Sequence, residues 1–279
     1  TFQSWISDSP SRVKSLSNQN VHIRSQYPEV NVLGVGINAV SMSDALDCIS
    51  HGAKSDGSKY LCLAAVHSIL DCRRDSDLKR IFNSALLTTP DGMPLVWLCR
   101  LNGHAMAERV YGPDLMLAAC EDSVQHGYKH FLLGGEPQVT RELTERLEGL
   151  FPGIAVVGSL SPPFRVLTKA EDADIVDRIN NSDADIVWVG LGTGKQERWI
   201  AEHLGKIRAP VMIGVGAAFD LLSGQTPQAP RWMQGIGFEW LFRLAMEPRR
   251  LWRRYAEYPL FAMLLLTQLT KLKKFEMED

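Results

Sequence analysis

Short apolar segments alternate with amphipathic ones along most of this 279-residue chain, and this alternation limits the fold more than any other feature. The apolar segments have the length and β-branched composition of buried strands, whereas the segments between them have helical spacing. Strands are predicted at residues 30–40, 60–66, 129–133, 154–157, 185–190 and 210–215, and residues 68–82 are predicted as one helix. Regular alternation requires parallel pairing and crossovers through helices on both faces of the sheet. We therefore predict a Rossmann-like α/β domain at residues 28–228.

The two ends of the chain differ in composition from this domain. Residues 1–27 are polar and contain no apolar run, which predicts a poorly ordered lead-in without a signal peptide. Residues 229–279 contain no further β-α unit and combine arginine with tryptophan and tyrosine, which predicts a helical appendage divided at Pro248 and Pro259. No stretch reaches the roughly 18 apolar residues that a membrane-spanning helix needs.

Charge and cysteine content exclude some classes of protein. The net charge of −2 and the pI near 6.4 do not suit a general nucleic-acid binder, because binding by counterion release requires a basic surface. The five cysteines lie in apolar contexts and form no C-x-x-C pair. They are typical of reduced core residues in a cytoplasmic protein.

The segment LLTTPDGMPL at residues 86–95 presents one carboxylate in a special place. Pro90 fixes its own φ and favours an extended conformation before it, and Gly92 permits a turn that other residues resist. Helical spacing follows from Met93, so Asp91 is predicted between a strand end and a helix N-terminus, where ligands of α/β proteins collect. A plain turn with Asp91 as a helix cap is the alternative interpretation.

Three glycine-rich segments follow predicted strands, at residues 34–39, 190–196 and 214–217. The first fits the dinucleotide fingerprint G-x-G-x-x-A, but the next strand lacks the acid that would hold a ribose. The second, which contains Gly192, is the better phosphate site, with tight helix–strand packing as an equal alternative. His67, at the carboxyl end of the second strand, either lines the site or is simply packed.

Three D-x-D pairs have the spacing that holds a divalent cation in many sugar-nucleotide enzymes. They begin at Asp75, Asp172 and Asp183. Side chains at i and i+2 of a helix face different ways, and no cluster of further oxygen ligands accompanies the pairs. The pattern therefore predicts no metal site.

The arginines and aromatic residues of the appendage suit an anionic surface. Nucleic acid would attract them, but the apolar run at residues 260–266 favours a lipid surface, where Trp and Tyr sit at headgroup level and Arg pairs with lipid phosphate. The same composition also suits a dimerisation helix pair, so a homo-oligomer stays open.

Taken together, these residues resemble the WecG/TagA/CpsF glycosyltransferase family of bacterial surface-polysaccharide synthesis from about residue 30 to residue 255. The motifs that carry the resemblance are VNVLGVGINAV (30–40), LLTTPDGMPLVW (86–97), ERVYG (108–112), FLLGG (131–135), GLG with KQE (190–197), GVG with FD (214–220) and APRW through EWL and Arg243 (229–243).

The resemblance implies an inverting transferase that moves a sugar from a UDP-sugar to a sugar on a polyprenyl diphosphate, with neither metal nor cofactor. It implies Asp91 as the general base, and a cytoplasmic enzyme bound peripherally to the inner face of the membrane in exopolysaccharide assembly. It assigns the donor pocket to Arg109, Gln196 and Asp220. We add Gly192 and Lys195 of the second glycine-rich segment, and His67, as candidate donor-binding residues. The resemblance assigns the donor diphosphate to Arg243, Arg250 and Arg253.

One departure from the family concerns the second strand, where a T-x-N pattern is usual and this chain has Leu63 and Ala65. Either the donor sugar differs, or His67 and Ser68 supply the lost hydrogen bonds. Two other hypotheses are an NAD-dependent oxidoreductase or epimerase, from the first glycine motif, and a non-catalytic membrane-bound scaffold.

Overall fold

The computed structural model of the protein describes residue 24 and residues 26–277. Most of the predicted lead-in at residues 1–27 therefore lies outside the described residues. Among the residues that are described, no helix is long and apolar enough to span a membrane.

A two-stranded antiparallel hairpin precedes the main sheet, formed by β1 (Glu29–Val32) and β2 (Val35–Asn38). Leu33 and Gly34 form its turn, with φ of 53° and 91°. Positive φ at both central positions is typical of the tight turns that join antiparallel strands. The single strand predicted at residues 30–40, as part of the parallel sheet, is therefore wrong. The G-x-G-x-x-A motif begins in a hairpin turn, not where a parallel strand enters a helix, so it does not form a dinucleotide site.

Six parallel strands form the central sheet, and the predicted Rossmann-like α/β fold is confirmed. Their order across the sheet is β4-β3-β8-β7-β5-β6. The strands are β3 (Lys59–Ala64), β4 (Leu87–Pro90), β5 (Lys129–Gly134), β6 (Ala155–Leu160), β7 (Ile186–Gly190) and β8 (Val211–Gly214).

The helices described in the structure cover both faces of this sheet. They are α1 (Met42–Ala53), α2 (Val66–Arg74), α3 (Ser76–Asn83), α4 (Met93–Leu101), α5 (Gly112–His126), α6 (Pro137–Leu150), α7 (Lys169–Asn181), α8 (Lys195–His203), α9 (Ala218–Leu222), α10 (Arg231–Gly235), α11 (Glu239–Met246), α12 (Pro248–Tyr255) and α13 (Tyr258–Leu269).

Strand residues alternate between two apolar cores because successive side chains point to opposite faces. Leu61 and Leu63 of β3 join the core formed with α1, α5, α6 and α9. Tyr60 and Cys62 join the other core, formed with α2, α3, α7 and α8. All five cysteines are buried and free, as predicted for core thiols.

The predicted single helix at residues 68–82 is two helices, which is a second correction. The break falls at Asp75, whose side chain accepts a hydrogen bond from the Leu78 backbone N–H at 3.0 Å and so caps α3. An aspartate can offer the backbone this alternative to a continuous helix.

The appendage, helices α10 to α13 with the residues that follow them, packs back on the domain. Phe261 and Leu264 of α13 are buried in the core that contains α2. Gln268 accepts a hydrogen bond from the Leu33 backbone N–H at 2.8 Å and donates one to the Asn31 carbonyl at 2.7 Å. The apolar run at residues 260–266 is thus divided, with part of it inside the protein.

Candidate active site

A cavity of about 610 Å³ opens at the carboxyl edge of the sheet. Residues that follow β3, β4, β5, β7 and β8 line it, and the appendage contributes further residues from α11 and α12. α2 leaves β3 for one face of the sheet, whereas α9 leaves the neighbouring β8 for the other. Such a switch between adjacent strands creates the crevice in which α/β proteins bind ligands.

Asp91 stands at the cavity wall, between β4 and α4. Its backbone N–H donates to the Ala64 carbonyl at 2.8 Å, which extends the β3–β4 pairing by one residue and fixes where the side chain emerges. Oδ1 of its carboxylate is buried and has no hydrogen-bond partner among the described residues. Burial raises the Asp91 pKa to about 6, against the opposing effect of the Arg109 and Arg243 charges.

Arg109 lies beside Asp91 but outside the residues that line the cavity. Its Nε donates to the Asp91 backbone carbonyl at 2.5 Å, and its Nη2 donates to Oε2 of Glu239 at 2.5 Å. The guanidinium carbon stands 4.0 Å from the centre of the Tyr111 ring. Arg109, predicted for the donor pocket, therefore contacts the Asp91 backbone and not the cavity itself.

Gln196 lines the cavity and joins two of its loops. Its Oε1 accepts from the Gly216 N–H at 2.9 Å, and its Nε2 donates to Oε1 of Glu197 at 2.9 Å. Oε2 of Glu197 accepts from the Gly194 N–H at 2.6 Å, so this glutamate already occupies one donor at the start of α8. Lys195 is exposed and lies outside the cavity lining.

The glycines at the ends of β5 and β7 are tightly packed, whereas Gly192 beyond β7 is open to the cavity. A Cβ on Gly190 would lie 3.0 Å from the Phe219 ring, and one on Gly134 would lie 2.4 Å from the Gly190 carbonyl oxygen, so this strand end requires tight packing. Gly192 has a φ of 85° and lines the cavity, and a Cβ on it would meet no other atom within 4 Å.

Leu63 and His67, at and just after the end of β3, line one wall of the cavity. Nε2 of His67 lies 3.2 Å from Oγ1 of Thr193, another cavity residue. Burial, together with the Arg254 and Arg243 charges, lowers the His67 pKa to about 3, so the imidazole is neutral at pH 7. Ser68 is buried and accepts from the Ala65 N–H at 3.3 Å, which leaves His67 as the polar side chain at this wall.

Three arginines of the appendage line the cavity, namely Arg243, Arg250 and Arg254. Arg253, which the sequence favoured, lies outside the lining with its guanidinium carbon 5.5 Å from the centre of the Trp252 ring. Asp220 lies in the cavity, where burial raises its pKa against the effect of the Arg250 charge.

Sequence reasoning also missed Phe164 and Glu239. The Phe164 side chain is 79% exposed and lies at the cavity rim, in a loop that has no strand or helix signal. Glu239 belongs to the EWL segment. Its ion pair with Arg109 joins residues 130 positions apart, and no local sequence pattern predicts that pair.

The D-x-D carboxylates engage other protein groups. Asp75 pairs with Arg198, Asp172 Oδ2 lies 2.9 Å from Nε2 of His203, and Asp185 Oδ2 accepts from the Lys129 N–H at 2.8 Å. Within residues 26–277, no three His, Cys, Asp or Glu side chains are grouped so that they could hold a metal ion.

Comparison with known proteins adds a family to this geometry. The model of the Glycosyl transferase WecG/TagA/CpsF family matches residues 30–275. Similar proteins include three with the name N-acetylglucosaminyldiphosphoundecaprenol N-acetyl-beta-D-mannosaminyltransferase. The one from Bacillus spizizenii (strain ATCC 23059 / NRRL B-14472 / W23) is 30% identical over 186 residues, which cover 67% of this chain and 70% of that protein. The one from Bacillus subtilis (strain 168) is 27% identical over 202 residues, covering 72% and 77%. The one from Staphylococcus aureus (strain MW2) is 25% identical over 256 residues, covering 91% and 98%.

Proposed function

This chain belongs to the WecG/TagA/CpsF glycosyltransferase family, and from that premise we propose that it moves a hexose from a UDP-sugar, with inversion, to a sugar carried on a polyprenyl diphosphate. The names of the three relatives describe transfer to an undecaprenyl-diphosphate-linked N-acetylglucosamine, and the proposal extends an acceptor of this class to the present chain. The observation that carries it is the buried Asp91 carboxylate, whose Oδ1 has no hydrogen-bond partner among the described residues, in a cavity that is also lined by arginines.

Asp91 acts as the general base. Inversion requires one in-line attack, so a single carboxylate that accepts the proton of the acceptor hydroxyl is sufficient, whereas a glycosidase uses two. A base is most effective when its pKa lies near the working pH. With its pKa raised to about 6, Asp91 is largely ionised at pH 7 and binds a proton more tightly than an ordinary carboxylate.

The donor diphosphate meets the appendage arginines. A guanidinium binds phosphate oxygens through two parallel hydrogen bonds and remains charged at all relevant pH values. Arg243, Arg250 and Arg254 provide that charge for the departing UDP, and the Gly192 segment approaches it from the strand side. The reaction as proposed needs no metal ion, since these arginines neutralise the leaving group. A cavity of about 610 Å³ is within the range of sites for small organic ligands.

The acceptor reaches this site from a membrane surface. Trp97 of α4 and Trp232, Ile236 and Phe238 at α10 are 45–64% exposed. A Cβ on Gly237 would lie 3.1 Å from the Trp97 ring, so the exposed side chains of α4 and α10 are neighbours. Six arginines and two glutamates lie between residues 231 and 254, which favours an anionic surface. The enzyme then works peripherally at the inner face of the cell membrane, in exopolysaccharide or related surface-glycan assembly.

A donor screen tests the proposal. The protein is incubated with UDP-glucose, UDP-N-acetylmannosamine or its uronate and with a synthetic polyprenyl-diphosphate N-acetylglucosamine, and products are identified by mass and by anomeric configuration. One donor is expected to give a β- or α-linked product inverted relative to its UDP bond. Asp91→Asn should reduce the rate about 10²- to 10⁴-fold, the usual contribution of a general base.

Asp122→Asn is the matched control, because Asp122 is a surface acid that pairs with His126 and lies outside the cavity lining. Its rate should equal that of the unmodified protein. Near-normal transfer by Asp91→Asn at saturating donor would contradict the assignment of Asp91 as the base. If the unmodified protein transferred no sugar from any donor, the proposed function would be wrong.

A further inference from the structure

Glu239 is a buried carboxylate that the proposed reaction does not use. It is the first residue of α11 and therefore belongs to the appendage, yet it lies against Asp91 and Arg109 of the domain. The side chains of Arg109 and Glu239 are 16% and 12% exposed, so their ion pair is largely removed from solvent. Such a pair costs desolvation and is weak evidence for stability by itself, which leaves its role to be explained.

The position of Arg109 makes this pair informative. Its Nε already bonds to the Asp91 carbonyl oxygen at 2.5 Å, so the guanidinium lies next to the Asp91 side chain. A guanidinium beside a carboxylate commonly binds it through two parallel hydrogen bonds. Here Nη2 of Arg109 instead donates to Oε2 of Glu239, and Oδ1 of Asp91 has no hydrogen-bond partner among the described residues.

We propose that Glu239 is a positioning residue that holds Arg109 off the Asp91 carboxylate, so that this carboxylate stays free to take the acceptor proton. The inference rests on the proposed role of Asp91 as base. It also makes the base depend on the appendage, because α11 must be docked for Glu239 to reach Arg109. When α11 is displaced, Arg109 turns to Asp91 and the base is masked.

The charges around Asp91 agree with this arrangement. The groups that face it are Arg109, Tyr111, Glu239, Arg243 and, from α13, Tyr258. Burial raises the pKa of both tyrosines, so they are neutral in the working range. Burial raises the Asp91 pKa most; the Arg109 charge lowers it, the Glu239 charge raises it, and the Arg243 charge and a hydrogen bond from the Gly112 backbone N–H lower it. Loss of Glu239 therefore lowers the Asp91 pKa in two ways. It removes a like charge, and it releases Arg109 to approach the Asp91 carboxylate.

A direct titration of Asp91 tests the inference without relying on activity. The full chain is labelled with ¹³Cγ-aspartate, and the Asp91 signal, assigned with Asp91→Asn, is followed against pH by NMR. The unmodified protein should titrate near pH 6. Glu239→Gln, which keeps the shape and removes the charge, should lower this midpoint by ~1–3 pH units, the usual effect of a close opposite charge on a carboxylate.

Glu257→Gln is the matched control. Glu257 is also an appendage glutamate paired with a domain arginine, Arg74, with donor–acceptor distances of 2.9 and 3.0 Å, but it lies outside the cavity lining. Its variant should leave the Asp91 midpoint unchanged. In the double variant Glu239→Gln with Arg109→Met, the midpoint should return to that of the unmodified protein or rise above it.

The inference is overturned if Glu239→Gln titrates at or above the midpoint of the unmodified protein, or if the double variant keeps the lowered midpoint. A purely structural role for Glu239 would change stability without moving this titration. In the transferase assay, the acid limb of kcat/KM should move down by the same amount in Glu239→Gln. If no donor is transferred, the proposed function fails while the NMR result still decides the role of Glu239.

Discussion

The ionised form of Asp91 destabilises the folded protein, because burial raises the pKa of its carboxyl group from 3.8 to about 6. The native state then binds the proton more tightly than the unfolded chain does. Between about pH 4 and pH 6 the native state holds more protons, so the free energy of unfolding falls as the pH rises through this window. Above pH 6 the full cost remains, since the ionised carboxylate is kept in a place that favours its neutral form.

Asp91→Asn should therefore make the protein more stable at neutral pH while it removes the proposed base. A neutral amide carries no cost of ionisation, and a difference of about two pKa units corresponds to at most ~3 kcal/mol. We expect a gain of ~1–3 kcal/mol at pH 7.5 and little gain at pH 4, measured by urea unfolding. Asp122→Asn should show no gain at either pH. An equal gain at both pH values would mean that burial of the Asp91 charge is not its source.

The four arginines of α12 lie on two different faces of the helix. On α12, Arg250 and Arg254 are four residues apart and both line the cavity. Arg249 and Arg253, also four apart, are exposed outside it, and Leu251 is buried between the helix and the domain. Residues at i and i+4 share a face of a helix, so the two arginine pairs define two separate stripes.

These stripes predict different effects of the same substitution. Arg250→Ala and Arg254→Ala should each weaken UDP binding about 10- to 100-fold, because a hydrogen bond to a charged group contributes about 1.5–3 kcal/mol. Arg249→Ala and Arg253→Ala remove the same charge from the same helix and should leave the UDP Kd within about twofold, a difference of only ~0.4 kcal/mol. Isothermal titration calorimetry with UDP measures all four. Equal losses in both pairs would indicate a general effect of charge and not a lining stripe.

Local signals explain which elements could be predicted from the sequence. The strand end at Asp91 was predictable because Pro90 and Gly92 restrict the backbone at the junction itself. The hairpin was not, because its apolar strands flank a Leu33–Gly34 turn that lacks the usual Asn-Gly signal. The choice of Arg254 over Arg253 depends on which stripe of α12 faces the cavity, and only the packed fold decides that.

At the scale of the whole molecule, the appendage completes the domain as well as the cavity. Phe261 and Leu264 belong to the core under α2, and Gln268 bonds to the β1–β2 hairpin. Removal of residues 229–279 would uncover this core, so a truncated chain would lose structure together with function. The appendage also brings Glu239 to Arg109 and places Arg243, Arg250 and Arg254 at the cavity. The proposed membrane association must therefore be tested separately from the proposed catalysis, by surface substitutions that leave the core intact.

Substitution of Trp232 and Phe238 by serine provides that separation, because these side chains are 64% and 48% exposed and the core does not need them. Full burial of such a side chain in an apolar phase contributes about 1.5–3 kcal/mol, so loss of both should reduce binding to vesicles by at least about tenfold. Flotation with vesicles that contain anionic lipid measures the bound fraction. A serine at Leu150, which is 51% exposed at the end of α6, is the control and should float like the unmodified protein.

Two further measurements, the salt dependence of vesicle binding and transfer to a soluble acceptor, distinguish the proposed membrane contact of the appendage from its proposed part in transfer. Binding of the unmodified protein should weaken between about 0.1 and 0.5 M salt, since the arginine attraction is screened over about 10 Å at the lower value. Transfer to a short-chain acceptor that needs no membrane should be retained by the double serine variant, because the cavity arginines and Glu239 are untouched. Unchanged flotation of that variant would place the membrane contact elsewhere. Loss of transfer to the soluble acceptor would show that α10 supports the active site directly.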